Sequence, residues 1–436
     1  MKRREFLHTT AAFASASLVG GTVHAAQLAE PALTTEPFAF AAAVVLLNPT
    51  PNSVAIVALP NALATGWVEY GPTEALGQRA EGSSRGQLPL SEKILPFCII
   101  GLKPGARCFY RVCLKPLNYE SVYSIKPGKA IYSEICSFRT LNPAADKVSF
   151  TIWNDTHETI PTVTKLSQNL NASPTDFLFW NGDVTNDIQL ESKIIPNYLA
   201  PAQQPFAATV PFMMTRGNHD VRGRDARTLA RYVTGPNGDY FYAFRHGPVA
   251  AIVLDTGEDK PDDQLDYGGL NDFAAYRSLQ RSFLMNAITD PAFASAPFRI
   301  ILLHIPLFWD TEVPARWLTV WGKNAQGKIN NGWICEDGRA KWHDLFVKAR
   351  VDVIISGHTH KHAFFPGNDK HPYAQLIGGG PDPAQALSII ATATREELTF
   401  TLNDLDGKMV MQQRFQHSKI ERKLSTPSLP SSYPKS

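Results

Sequence analysis

Residues 212–220 read Phe212-Met213-Met214-Thr215-Arg216-Gly217-Asn218-His219-Asp220: an apolar run, a glycine, then three side chains that can hold a proton or a metal ion. A short apolar run bounded by a turn residue reads as a buried strand, and Gly217 lets the chain turn sharply as it leaves. The same pattern recurs along the chain. Phe150-Thr151-Ile152-Trp153 leads to Asp155-Thr156-His157, and Phe177-Leu178-Phe179-Trp180 leads to Gly182-Asp183. Ile300-Ile301-Leu302-Leu303 leads to His304, and Val353-Ile354-Ile355 leads to Gly357-His358-Thr359-His360. Each polar cluster stands at the carboxyl end of a run, the edge at which layered α/β folds bind ligands. Asp, Asn and His supply the oxygen and nitrogen donors that suit hard or borderline divalent and trivalent metals.

Taken singly, most of these clusters have a plainer reading. Asp-x-His is ordinarily a turn or a cap, Gly-Asp is a common loop dipeptide, and a lone His304 after an apolar run reads as a core histidine. Gly-Asn-His-Asp and Gly-His-Thr-His resist that account, because a plain turn has no need of paired imidazoles. Side chains at i and i+2 of an extended segment point the same way. The spacing therefore predicts that Asp155 and His157 face one metal region together, and His358 and His360 likewise.

As an ordered set, D-x-H, G-D, G-N-H-D, H and G-H-x-H resemble the calcineurin-like metallophosphoesterase superfamily, over Val148 to His417. The resemblance implies an α/β (α+β) fold, a four-layer β-sandwich flanked by helices. It also implies two divalent or mixed-valence ions (iron, manganese or zinc): Asp155, His157, Asp183 and His360 on one, Asn218, His304 and His358 on the other, with Asp183 bridging. Two such ions about 3.5–4 Å apart can share a hydroxide that attacks phosphorus. His219 would steady the developing charge or protonate the leaving oxygen, Arg216 would hold a phosphate oxygen, and Asp220 or Asp187 would serve as a carboxylate beside His219. One departure is informative. Purple acid phosphatases place an iron-binding tyrosine three residues after the bridging aspartate and lack the histidine of D-x-H; here Asn186 and His157 stand at those positions, so one ligand replaces the other.

Residues 28–142 read as all-β, with short alternating runs between Pro, Gly and Asn turns. They resemble the fibronectin type III-like sandwich that precedes the catalytic region of plant purple acid phosphatases, although Cys108 stands where that fold commonly has its corner tyrosine. The second domain is expected over 147–417: Val163, Leu166 and Leu170 share one helical face, Phe273, Tyr276, Phe283 and Leu284 another, and Leu398 to Met411 form a hairpin around Asp406-Gly407. Gly378-Gly379-Gly380 lacks the Lys-Ser or Lys-Thr of a phosphate loop. Phe308, Trp309, Trp317, Trp321 and Trp333 mark a long connection, read either as a packed insertion or as a wall of a substrate pocket. Residues 418–436, rich in Ser, Pro and Lys, read as disordered.

Residues 1–25 begin Lys2-Arg3-Arg4-Glu5-Phe6-Leu7, continue through a weakly apolar stretch, and end at Val23-His24-Ala25. This segment is too short and too rich in small polar residues to span a membrane, and it resembles a twin-arginine export signal. It implies the twin-arginine machinery as a partner, a periplasmic or secreted location, and no stable membrane anchor. Removing it leaves basic and acidic residues equal at 39 each, so bulk charge gives no case for nucleic acid. The five cysteines match no zinc spacing. The expected activity is hydrolysis of small phosphate esters, phosphomonoesters first. The alternatives are a phosphodiesterase or nucleotide pyrophosphatase, or a non-catalytic cell-envelope metal-binding module.

Overall fold

The computed structural model describes residues 37–172, 175–201, 205–308 and 335–417. In it the five apolar runs are strands divided between two sheets. Val148–Trp153, Leu178–Asn181 and Phe212–Thr215 lie side by side and parallel in a nine-stranded sheet, with Trp153 level with Trp180 and Trp180 with Met214. Phe298–Leu302 and Val353–Ser356 are parallel neighbours in a six-stranded sheet. Nearly every residue of these strands is buried, because each sheet is covered on both faces; hence the continuous rather than alternating apolar runs.

The two sheets pack face to face over one core. Phe150, Ile152, Phe179 and Met213 from the first meet Ala251, Val253, Ile300 and Ile355 from the second, and the Phe150 and Phe177 rings stack at 4.9 Å. Outside the first sheet, Val163, Leu166 and Leu170 of the helix Ile160–Ala172 are buried as the sequence predicts, with Trp153, Trp180 and Phe206 packed edge to face. Outside the second, the helices Phe273–Ala287 and Glu336–Ala349 cover Ile252, Ile301 and Ile354 through Leu284, Trp342 and Phe346. The fold is thus the expected four-layer arrangement. The buried stripe of Phe273–Ala287 differs from expectation, however: it is Arg277, Gln280, Leu284 and Ala287, while Tyr276 and Phe283 are only half-buried. The two polar members of that stripe hold a loop described below.

Residues 37–142 are all-β, and their strands are not confined to their own sheets. Val45–Leu47 pairs in parallel with Phe212–Thr215, Leu47 opposite Phe212, and is followed outward by Ser53–Ala58 and Leu95–Ile100. One nine-stranded sheet therefore runs from the C-terminal hairpin (Glu397–Asn403 with Met409–Gln416) into this region. A further sheet built on Ala64–Gly71 and Arg107–Ser121 packs on it through Val68, Val112 and Phe138 against Leu46, Ile56 and Ile99. From Phe38 onward the described residues form one compact unit.

All five cysteines are free thiols. No helix among the described residues is long and apolar enough to cross a membrane. Residues 1–25, read from sequence as an export signal, the tail 418–436 and Trp309, Trp317, Trp321 and Trp333 lie outside the described residues.

Candidate metal centre

Because three parallel strands of one sheet and two of the other end on the same side, the five polar clusters converge at the seam between the sheets. Two groups of donor atoms form there, Asp155, His157, Asp183 and His360 in one and Asp183, His304 and His358 in the other, each with all its donors within 4.8 Å of one another. Asp183 belongs to both. His157 Nε2 lies 3.0 Å from His360 Nε2 and 3.4 Å from Asp183 Oδ2, and His304 Nε2 lies 3.0 Å from the same Asp183 oxygen. Asn218 is buried, and neither its Oδ1 nor its Nδ2 has a hydrogen-bond partner. An orphaned buried amide is costly, as is a set of carboxylates and imidazoles crowded out of water. Cations coordinated by Asn218 Oδ1, the carboxylates and the imidazoles would offset much of this cost, so the residues present fit a pair of metal ions.

The local backbone explains how the donors meet, and it corrects the reason given by the sequence. Asp155, His157, Asp183, His358 and His360 all have positive φ, between 45° and 72°. They lie on tight left-handed turns, not extended segments, so the i, i+2 pairing does not come from strand alternation. Left-handed backbone is unfavourable for residues with a Cβ and tends to persist where function requires it. Hydrogen bonds hold it here: the N–H groups of Asp155, His157 and Glu158 donate to the carbonyls of Gly182, Asp183 and Val184, and that of His358 donates to the Asp155 carboxylate. The approach is so close that a Cβ on Gly217 would stand 2.1 Å from Asp183 Oδ1, and one on Gly357 2.3 Å from Asp155 Oδ2. Asn181 ties the sheets together at this edge, donating from Nδ2 to Asn154 Oδ1 and to the Leu303 carbonyl.

Hydrogen bonds also fix which imidazole nitrogen faces the centre. His304 Nδ1 donates to the Asn181 carbonyl at 2.8 Å, leaving Nε2 toward Asp183. His157 Nδ1 meets Asn186 Oδ1 at 3.2 Å, and Asn186 Nδ2 donates to the His157 carbonyl. Asn186 thus orients the His157 ring. Burial pushes the His157 imidazole down to about 4, and it also lowers His358 and His360, which favours neutral, ligand-ready rings. Burial raises Asp155 to about 7. For His304 burial acts downward, but the Asp183 and Asp155 carboxylates outweigh it and hold the ring at about 10. Asp183 falls well below the usual carboxylate range, because its interactions with His304 outweigh its burial.

The three residues expected to act on substrate are placed differently from one another. His219 borders the first group, its ring centroid 4.7 Å from that of His157. Its Nδ1 donates to the Asn186 carbonyl at 2.7 Å, and its Nε2 accepts from Arg222 Nη1 at 3.1 Å. Asp220 is not a partner of His219. Its oxygens accept from the backbone N–H groups of Gly217, Val184 and Thr185 and from the Tyr198 hydroxyl, which braces the two loops carrying Asp183 and Asn218. Arg216 is held in an ion pair with Asp255 at 2.7 Å, its guanidinium 4.3 Å from the Tyr240 ring centroid. Asp187 pairs with Lys193 at 3.2 Å. The guanidinium that reaches His219 is that of Arg222, clasped through Nε and Nη2 by Glu258 at 2.8 and 2.6 Å.

The sequence reading missed this set, Arg222 with Glu258 and Asp259, although a signal for it existed. Val249–Val253 is a sixth buried apolar strand, followed by Leu254-Asp255-Thr256-Gly257-Glu258-Asp259, the same strand-then-polar phrase without a histidine. The buried polar stripe of Phe273–Ala287 secures this loop: Gln280 binds the backbone N–H and carbonyl of Asp255, and Arg277 donates to the carbonyls of Thr256 and Glu258. Gly380 approaches His360 closely enough that a Cβ there would lie 3.3 Å from the His360 Cα.

Residues 148–362 match the family profile described as calcineurin-like phosphoesterase. Acid phosphatase type 7 of Homo sapiens is 25% identical over 337 residues, covering 73% of this chain and 73% of the human protein. Purple acid phosphatase 22 of Arabidopsis thaliana is 23% identical over 268 residues, covering 59% of this chain and 53% of the plant protein. Among solved structures, purple acid phosphatase PPD1 from yellow lupin (Lupinus luteus) seeds superposes with a TM-score of 0.62 at 16% identity, covering 86% of this chain and 74% of that one. PhoD superposes at 0.56 with 14% identity, covering 88% and 92%. At these identities the two structures show a common fold.

Proposed function

We propose, from the match of residues 148–362 to the calcineurin-like phosphoesterase profile and the geometry above, an exported enzyme that hydrolyses small phosphate esters, phosphomonoesters first, at a two-metal centre. Asp155, His157, Asp183 and His360 would hold one ion, and Asp183, Asn218, His304 and His358 the other, drawn from iron, manganese or zinc. When bound, such ions supply Lewis acidity toward phosphoryl oxygens and a water activated at neutral pH. The observation that carries the proposal is the pair of donor groups sharing Asp183, with the orphaned Asn218 amide beside them.

The chain's own groups suggest how an anionic ester is received. A carbonyl can only accept and a guanidinium can only donate, so His219 carries its proton on Nδ1 and a lone pair on Nε2. Any proton that His219 delivers must therefore leave from Nε2. Once Nε2 is protonated, it and Arg222 Nη1 are two donors facing each other, and a phosphoryl or leaving-group oxygen accepting from both would relieve the clash. Asn186 keeps the ring aligned for this, and Asp220 fixes the loops beneath it. Arg216, ion-paired elsewhere, has no part in the scheme.

Turnover of an aryl phosphate monoester and of the matching diester, before and after chelation, tests the proposal. Monoester turnover that chelation abolishes and metal restores is expected. Faster diester turnover would favour a phosphodiesterase or nucleotide pyrophosphatase, and two bound metals without turnover of either would make the chain a metal-binding module. Export rests on residues 1–25. Replacing Arg3 and Arg4 by Lys is expected to retain the precursor in the cytoplasm, and undiminished periplasmic activity would refute that assignment.

A further inference from the structure

Behind the second donor group stands a carboxylate that the ligand pattern does not include. Asp259 Oδ1 accepts from Arg222 Nη2 at 2.7 Å and Lys260 Nζ at 2.9 Å. Its Oδ2 is buried without a hydrogen-bond partner and lies 3.8 Å from His358 Nε2. A buried carboxylate oxygen with nothing to accept is costly unless something completes it. Asp259 is not among the donors that come within 4.8 Å of one another around Asp183, His304 and His358, so it faces His358 from outside the cluster instead of joining it.

We infer that Asp259 is a positioning residue of the metal centre: it takes the Nε2–H of His358, sets that ring's tautomer and tilt, and so tunes affinity for the second ion. An imidazole that binds a metal through one nitrogen carries its proton on the other, and a carboxylate on that proton both orients the ring and raises its basicity. Several groups hold Asp259 ready for this. Arg222 and Lys260 fix one of its oxygens and balance its charge, Glu258 grips Arg222 from the other side, and Arg277 anchors the loop through the Glu258 carbonyl. Because Arg222 also donates to His219 Nε2, one side chain joins the outer face of a proposed ligand to the proposed acid.

This inference rests on the two-metal reading, and the experiment keeps the two apart. Metal content and dissociation constants are measured by titrating zinc against a competing chelator, for wild type, Asp259→Asn and Glu258→Gln. Two ions on the wild type are required for the underlying reading; fewer would overturn that reading first. Asp259→Asn, given two ions on the wild type, is expected to weaken one ion roughly 10–100-fold and leave the other at wild-type affinity, with turnover recovered at high zinc. Glu258→Gln, in the same network but not facing His358, is expected to weaken that ion less than Asp259→Asn does and to leave the other at wild-type affinity. Unchanged affinities in Asp259→Asn, equal loss at both ions, or the same loss in Glu258→Gln would overturn the inference. A misfolded Asp259→Asn, seen as loss of its melting transition, passes the question to Asp259→Glu. That variant retains the carboxylate and must then hold two ions, or the role is structural.

Discussion

His219 sits between a carbonyl and a guanidinium, and its place separates two kinds of loss. His219→Ala removes no proposed ligand, and alanine keeps the backbone N–H that donates to Asp183 Oδ1 at 2.8 Å. Metal content is therefore expected to hold while turnover drops roughly 10²–10⁴-fold, and less for esters with good leaving groups. His358→Ala is expected to lose metal and turnover together; elemental analysis beside kcat for a series of aryl phosphates distinguishes the two. Asn186 supplies no phenolate, so the loaded protein is expected to lack an intense visible band. Protons and cations compete for the same atoms: burial lifts Asp155 to about 7, and the neighbouring carboxylates hold His304 at about 10 in spite of its burial. Both groups are protonated more readily than in free solution on the acid side of those values. Apparent metal affinity is thus expected to fall as pH drops below about 10, and more steeply below about 7, with protons released on metal uptake. Calorimetry in buffers of different ionisation enthalpy measures that release, and identical heats in all of them would contradict it.

At the scale of elements, the helix Phe273–Ala287 influences the site without touching a proposed ligand. Its Gln280 satisfies both the N–H and the carbonyl of Asp255. Gln280→Leu leaves two buried backbone groups unpaired, at about 1–3 kcal/mol each, and loosens the loop that carries Glu258 and Asp259. Chemical denaturation is expected to show the loss, with turnover falling while the seven proposed ligands remain. A variant as stable as wild type would contradict that account. The helix also shows what the sequence could and could not convey. Apolar runs ending in Gly, Asp, Asn or His marked five strands and the edge where they meet, because strands buried on both faces leave no alternation to confuse the reading. Left-handed backbone at Asp155 or His358 left no such trace, since Asp and His, though enriched at positive φ, adopt it too seldom for the residue type to announce it. The polar stripe of Arg277 and Gln280 was hidden for the opposite reason: hydrophobic periodicity looks for apolar residues, and here the buried face binds a loop. The acidic cluster after Val249–Val253 obeyed the strand-end rule and was passed over for want of a histidine.

Taken whole, the N-terminal β region is a structural part of the sheet that bears the site. Leu47 lies opposite Phe212, Asn48 Nδ2 donates to the Thr234 carbonyl, and Tyr110 donates to the Ala208 carbonyl. Removing residues up to 142 would bare the edge of Phe212–Thr215, a fully buried apolar strand, and open edges of that kind aggregate. A chain beginning at 143 is expected to be insoluble, while the intact protein melts in one transition by calorimetry; two resolved transitions would show that the regions fold separately. The joint at Asn142 adds an acid sensitivity. Asn142 N–H donates to His246 Nδ1, and His246 Nε2 donates to Asp176 Oδ2. Burial opposes ionisation of Asp176, but hydrogen bonds from His246 and the Ser149 N–H prevail and hold its carboxyl below the usual value. Its stabilising contribution is present above the unfolded carboxylate range near 3.9 and lost as pH falls through the lower folded value. Asp176→Asn is expected to flatten the acid limb of a melting-temperature profile. The parallel pairing of Leu47 with Phe212 also has a consequence for synthesis. The strand that begins the sheet leaves the ribosome long before its partner exists, so its inner edge waits for more than a third of the chain to be made. Contacts so distant in sequence form slowly and leave half-made chains prone to association. The twin-arginine route proposed from residues 1–25, which carries proteins already folded, would suit a newborn molecule of this kind.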